Sequence, residues 1–342
     1  MAFYSPVATI TKDEEKSRKA KMSIIIERYK EKVSALPKNS IDHHLCMYEG
    51  FWYFHGFWYN SKADFSVEAV MTLQDEFQAR PTNVFLASYP KTGTTWLKAL
   101  SFAILNRNKF KTPIGSNPTH PLLTVSPHDC VPFLESESFL NNPSYASGLM
   151  ATHIPYTSLP KSIINSNCLM VYVCRNPKDA LTSVWHFFNM LKDDVSTPLK
   201  LDDAFELFSK GMTPYGSFWD HVMGYYKASL ERPDKVLFLK YEDLKKDPWN
   251  EVKKLAKFIG NPFTQDEEYD GSVQKIIDLC SFENLSKVNK DGKQTAKASS
   301  DDIYFRKGIV GDSVNYLTSD MIQILDKITE QKFADLKISF EA

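Results

Sequence analysis

The segment Tyr89-Pro90-Lys91-Thr92-Gly93-Thr94-Thr95-Trp96 places a cation, a glycine and three hydroxyls where an apolar run gives way to helical periodicity. A strand that hands over to a helix leaves backbone amides at the positive end of a helix dipole, an arrangement that binds phosphate. Lys91 adds a point charge, Gly93 permits close backbone approach, and Thr92, Thr94 and Thr95 add hydroxyl donors. An ordinary strand-to-helix turn with an exposed lysine uses the same residue types. The order GxxxxGK followed by Ser or Thr is absent, because Lys91 precedes Gly93, so this is not the P-loop of nucleoside triphosphatases.

Arg175, at the end of a second apolar run, and Ser183, farther along the helix that follows, make a second oxyanion clamp. A simple ion pair between Arg175 and Asp179 is the alternative. Arg306-Lys307-Gly308 forms a third basic element, with glycine letting two cations approach a ligand; a solvated basic turn would look the same. His153, in Ala151-Thr152-His153-Ile154-Pro155, titrates near neutral pH and could take a proton from a hydroxyl, although lone histidines are more often structural. His43, His44, His55, His120, His128, His186 and His221 lack metal-ligand spacing, so no metal is expected. The acidic pairs and triplets at 193–194, 202–203 and 266–268 fit loops and helix starts rather than catalysis.

The elements that must position these groups follow from periodicity. Val84 to Tyr89 reads as a strand and Thr94 to Asn106 as the helix after it; Cys168 to Cys174 leads into a helix from Pro177 through Leu191; Val236 to Tyr241 leads into a helix ending near Gly260. Doubly buried strands alternating with long helices predict an α/β fold with a central parallel sheet flanked by helices and a P-loop-like strand-turn-helix site. Ligands then lie at the carboxyl ends of the strands. Residues 1–20 read as a loose tail and 21–342 as a single domain, with a helix over Ser23 to Ala35 ended by Pro37. Residues 286–302 are polar and free of aromatic residues, and read as a mobile loop or a solvated connection. The aromatic stretch Tyr48 to Tyr59 lines a cavity or packs into the core, and Phe187 and Phe188 read as core.

Composition bounds the function. The chain has 342 residues, 43% hydrophobic and 24% charged, with a net charge of −1, so disordered and fibrous classes and an overall basic field for nucleic acid or membrane are excluded. The five cysteines form no CxxC pair, which argues against a disulfide framework and for buried thiols in a reducing compartment. No apolar run approaches the roughly 20 residues that span a bilayer, and the N-terminus has no secretory h-region. A cytosolic protein is expected.

Taken together, YPKTGTTW, THIP, RNPKD with Ser183, and FRKGIVGD closely resemble the cytosolic sulfotransferases, specifically the plant soluble branch, over residues 65–335. The resemblance implies a PAPS-dependent sulfotransferase, in which 3′-phosphoadenosine 5′-phosphosulfate (PAPS) is the co-substrate and a small-molecule hydroxyl the acceptor. It implies that Lys91, Thr92, Gly93, Thr94, Thr95 and Trp96 cradle the 5′-phosphosulfate, and that Arg175, Ser183, Arg306, Lys307 and Gly308 hold the 3′-phosphate. Tyr241 falls at the adenine side, or is a strand-end core tyrosine, and Cys280 falls where animal members carry a donor-contacting Thr. His153 matches the general base and Lys91 the cation on the bridging oxygen. Acceptors of plant relatives include flavonoids, hydroxyjasmonates, brassinosteroids and desulfoglucosinolates. Three departures stand out: Ser313 replaces the usual Trp after Gly-Asp, Ala151 stands where many animal members place a Lys, and the animal dimer motif has no counterpart between Val314 and Gln323, so a monomer or weak dimer is expected. A kinase with Glu242 or Asp243 on magnesium and an inactive nucleotide-binding module are the rival functions.

Overall fold

In the computed structural model, residues 12–39, 45–54, 66–110, 120–136, 148–191, 198–288 and 302–340 are described. Strands β1 (Leu45–Tyr48) and β2 (Phe51–Phe54) form an antiparallel hairpin closed by Glu49 and Gly50, both at positive φ, as a two-residue turn matched to strand twist requires. The second sheet holds β3 (Val84–Ser88), β4 (Leu149–Thr152), β5 (Leu169–Cys174) and β6 (Val236–Lys240), parallel throughout in the order β4-β3-β5-β6. Three of these strands follow the expected apolar runs to within a residue at each end. β4 adds an edge strand that its four-residue length hid in the sequence.

Successive residues enter opposite faces of the sheet. Phe85, Ala87, Met150, Met170, Tyr172 and Cys174 join one apolar cluster, while Val84, Leu86, Leu149, Ala151, Val171 and Val173 join the other. Helices cover both faces, which is why these strands read as continuous apolar runs rather than alternating ones. All five cysteines are buried thiols.

The registers bring the strand ends level. Ala87 lies opposite Thr152, Ser88 opposite Val173, and Cys174 opposite Lys240. The next residue after each strand is therefore Tyr89, His153, Arg175 or Tyr241, and all lie along one edge of the sheet. Because β4 and β5 flank β3 on opposite sides, their connections diverge there and leave a crevice.

Several expectations are revised. The first helix runs Lys12–Ser34, so it begins well inside the segment read as a tail; Lys, Glu, Arg and Ala favour helix there. Its Ile25, Tyr29 and Val33 are buried, and Tyr29 donates to Asp75 at 2.7 Å. The single helix after β6 is two, Tyr241–Lys246 and Pro248–Phe258, because proline lacks the N–H a continuous helix needs and Asp247 caps the second one. Of the 286–302 loop, residues 289–301 lie outside the described residues, as do 55–59 of the aromatic stretch and the acidic pair 193–194. Among the described residues, no helix is long and apolar enough to cross a membrane.

Candidate active site

The turn between β3 and the helix Thr94–Asn106 is conformationally demanding. Lys91 has φ 65° and Gly93 φ 120°. A Cβ at Gly93 would sit 2.9 Å from Cδ2 of Tyr241, so glycine is required there by both backbone and space. The turn opens onto a cavity of about 350 Å³ bordered by Lys91, Gly93, Thr94, Thr95 and Trp96, by His153 from the end of β4, by Arg175 and Ser183 from β5 and its helix, by Tyr241 and Cys280, and by Arg306, Lys307 and Gly308. Segments distant in sequence thus converge on one space. Thr92 does not: it is buried, its hydroxyl 2.7 Å from Tyr89 O and 3.1 Å from Val173 O, and it braces the turn instead of facing the cavity.

Lys91 Nζ donates to Ile303 O at 3.1 Å and lies 4.4 Å from the centre of the Phe187 ring. Burial, then the positive charges of Arg306 and Arg175, lower its pKa to about 7. The cations repel each other until an anion arrives. Arg175 is 6% exposed and does pair with Asp179 at 3.0 Å, yet it also borders the cavity, so the ion pair and the clamp coexist. Arg306 and Lys307 share Asp312. Among the described residues, Nε of Arg175 and Nε of Arg306 are buried donors with no hydrogen-bond partner, as expected of guanidinium groups arranged for a phosphate.

Tyr241 resolves its two readings together: only 7% exposed, it packs in the core, while its ring carries the Arg175 guanidinium at 4.7 Å and meets Trp96 edge-on at 5.6 Å. Its hydroxyl donates to Gly308 O at 3.0 Å, and Gly308 itself cannot carry a Cβ, which would lie 2.5 Å from Phe282. Asp179 ties the last basic segment to β5, accepting from the N–H of Gly311 at 2.8 Å and of Ser313 at 3.0 Å. Ser313 is buried, so the loop closes there without an indole. Ala151 is fully buried within the sheet, among the apolar residues of one face.

His153 Nδ1 lies 2.7 Å from Ser88 O, which must accept, so the tautomer carries its basic lone pair on Nε2. Its backbone N–H donates to Glu135, and its carbonyl accepts from His221 Nε2 at 2.8 Å. Burial drives the imidazole pKa down to about 3, against a raising contribution from the Ser88 bond, and keeps the ring neutral. The cavity wall next to it is apolar: Phe133 and Tyr215 lie 4.8 and 5.5 Å from the His153 ring centre, and Phe187, Phe188, Met190 and Leu191 complete it. Phe187 and Phe188 thus border the cavity, and Phe188 also packs against the core as expected. Glu242 accepts from the Asn176 N–H at 2.8 Å through Oε1, which braces the turn after β5.

Lys98 and Glu135 do not stand out in the sequence, and His128 does so only as a histidine without metal-ligand spacing. Lys98 is fully buried under the cavity with Nζ 3.2 Å from His128 Nδ1, and His128 Nε2 is 2.9 Å from the Thr95 hydroxyl. A lysine beside the mostly apolar run of Ala99 to Leu105 was the available signal.

The family described as sulfotransferase domain matches residues 81–337. The chain belongs to that family. Among curated relatives of this sulfotransferase, a flavonol sulfotransferase-like protein of Flaveria bidentis is 45% identical over 314 residues, covering 88% of this chain and 96% of its own. Cytosolic sulfotransferase 14 of Arabidopsis thaliana is 43% identical over 321 residues, covering 91% and 90%. Among solved structures, an Arabidopsis thaliana putative steroid sulphotransferase superposes with a TM-score of 0.70 at 32% identity over 98% of this chain and all of that one. Mouse sulfotransferase SULT7A1 complexed with PAP gives 0.64 at 25% identity over 86% and 96%.

Proposed function

We propose that the protein transfers a sulfuryl group from PAPS to a phenolic hydroxyl in this cavity. The observation that carries the reading is the convergence of Lys91, Arg175 and Arg306 on a cavity whose other side holds a neutral imidazole and an apolar wall. The partnerless Nε donors of Arg175 and Arg306 fit the phosphates of an adenosine 3′,5′-bisphosphate unit, and its complex with a 25%-identical sulfotransferase supports the same choice. When bound, PAPS supplies the sulfuryl group and a stable bisphosphate leaving group.

The chain's own residues do the rest. Arg175, Ser183 and the Arg306–Gly308 segment bind the 3′-phosphate, and Tyr241, Trp96 and Cys280 bound the nucleoside. The amides and hydroxyls of Gly93, Thr94 and Thr95 orient the 5′ end at the helix start. Thr92 contributes by bracing the turn. Lys91 neutralises charge that builds on the bridging oxygen, and His153 accepts the phenol proton at Nε2. Anionic charge in the cavity raises the pKa of both groups, which makes the weakly basic imidazole a better proton acceptor at the moment it is needed. Phe133, Phe187 and Phe188 exclude water and hold a flat acceptor. The names of the relatives support a flavonol or similar phenol and a cytosolic setting. We assign a monomer or weak dimer, since the animal dimer motif has no counterpart between Val314 and Gln323.

The test is calorimetry with adenosine 3′,5′-bisphosphate together with labelled sulfuryl transfer from PAPS to a panel of flavonols, simple phenols and aliphatic alcohols. Binding with turnover on phenols is expected; no heat of binding, or turnover on alcohols alone, would overturn the assignment.

A further inference from the structure

Beneath the cavity runs a chain of hydrogen bonds that the reaction scheme above does not use. Lys98, fully buried in the helix Thr94–Asn106, places Nζ 3.2 Å from His128 Nδ1 and 3.3 Å from the centre of the Phe133 ring. His128 is fixed by the short helix Pro127–Cys130, capped by Ser126, and by stacking on Tyr304 at 4.0 Å. Its Nε2 lies 2.9 Å from Oγ1 of Thr95, which borders the cavity. Isolating an ammonium in the protein interior is costly, and burial lowers the Lys98 pKa well below its ordinary value; one imidazole nitrogen, one aromatic face and the nearby carboxylates of Glu135 and Asp129 favour the charged form.

The direction of this chain decides what Thr95 can do. In its charged form, which an anionic ligand favours further, Lys98 has only N–H groups to offer, so it makes Nδ1 the acceptor, which puts the imidazole proton on Nε2. Nε2–H then donates to Thr95 Oγ1, and the threonine proton is left to point at a ligand. Run the other way, Thr95 would spend its proton on Nε2 and turn only lone pairs toward the cavity, which repels an anion. Resting on the donor-site reading given above, we propose that Lys98 and His128 form a positioning relay that holds the Thr95 hydroxyl as a dedicated hydrogen-bond donor to the anionic 5′ end of the bound nucleotide. Lys98 does not border the cavity and His128 does, and both act on the 5′ end through Thr95.

The first measurement needs no variant. With ¹⁵N-histidine label and adenosine 3′,5′-bisphosphate bound, His128 is expected as the Nε2–H tautomer, its signal assigned by loss in His128→Gln; the Nδ1–H tautomer overturns the relay. The second is a double-mutant cycle on bisphosphate affinity. Thr95→Val and Lys98→Met should each weaken binding about tenfold, and the double variant should be within about twofold of Thr95→Val, because a relay has nothing to act on once the hydroxyl is gone. Penalties that multiply to about a hundredfold, or an unaltered affinity in Lys98→Met, would show that Lys98 is only packing. Lys98→Gln, which keeps an N–H, should stay within about threefold of wild type, and a loss as large as that of Lys98→Met counts against the relay. Failure of the wild type to bind the bisphosphate removes the donor site itself and the relay with it, whereas intact binding with the wrong tautomer or multiplying penalties removes the relay alone.

Discussion

Asp179→Ala tests whether the two arginine-bearing segments are held together as described. Asp179 is 2% exposed and accepts from Arg175 Nη2 at 3.0 Å, Gly311 N at 2.8 Å and Ser313 N at 3.0 Å. Alanine leaves a buried guanidinium without its carboxylate and two loop amides without an acceptor. Removing one partner of a buried ion pair costs about 3–5 kcal/mol, and water from the neighbouring cavity will relieve part of the loss, so about 4 kcal/mol is expected. For a domain of this size that lowers Tm by about 6 °C, measured by thermal melting without nucleotide, which could otherwise pair with Arg175 and mask the effect. Bisphosphate affinity should fall about tenfold or more, because the Arg306–Gly308 segment loses its tether to β5. Asp179→Asn, with one acceptor oxygen retained, should lie about midway. A melting temperature within about 2 °C of wild type together with unaltered affinity would mean that Arg175 and the loop are positioned by something else.

His153→Ala should cut turnover by about 10²-fold or more with bisphosphate affinity nearly unchanged, and a loss smaller than about threefold would refute the assignment of the base. Lys91, at about pKa 7 before an anion binds, is largely uncharged at pH 8. Binding the bisphosphate should therefore draw in about one proton, read as a dependence of the binding heat on buffer ionisation enthalpy and abolished in Lys91→Met; a heat independent of buffer would contradict it. Burial holds His120, His153 and His221 at about 4, 3 and 4, against an ordinary 6.5, so the unfolded chain binds protons that the fold refuses and stability drops as pH falls below about 6.5. Glu135, raised by burial to about 7, works in the opposite sense and offsets one of them between pH 7 and 4.5. These four groups together give a slope of about 2 kcal/mol per pH unit near pH 5.5, and His128 and His186, also lowered by burial, act in the same sense, so a lower urea midpoint than at pH 7 is expected; equal midpoints would refute it.

What the sequence determined by itself was local. Three apolar runs followed by turn residues marked β3, β5 and β6, and the family motifs marked Lys91, His153, Arg175 and Arg306, because burial and turn chemistry are written in neighbouring residues. β4 escaped since three apolar residues and a threonine are too short to show a period. The side-chain directions were decided only in three dimensions: Thr92 and Thr95, three residues apart in one turn, face opposite ways, one toward the carbonyls of Tyr89 and Val173 and the other toward the cavity. Phe187 and Phe188 became cavity wall for the same reason. Asp179, which the sequence offered only as a partner for Arg175, also joins Gly311 and Ser313 across more than a hundred residues of chain, and Lys98 meets His128 beneath the site. Such contacts depend on strand register and on which helix face turns inward, and those follow from how the whole core packs rather than from any one segment of it.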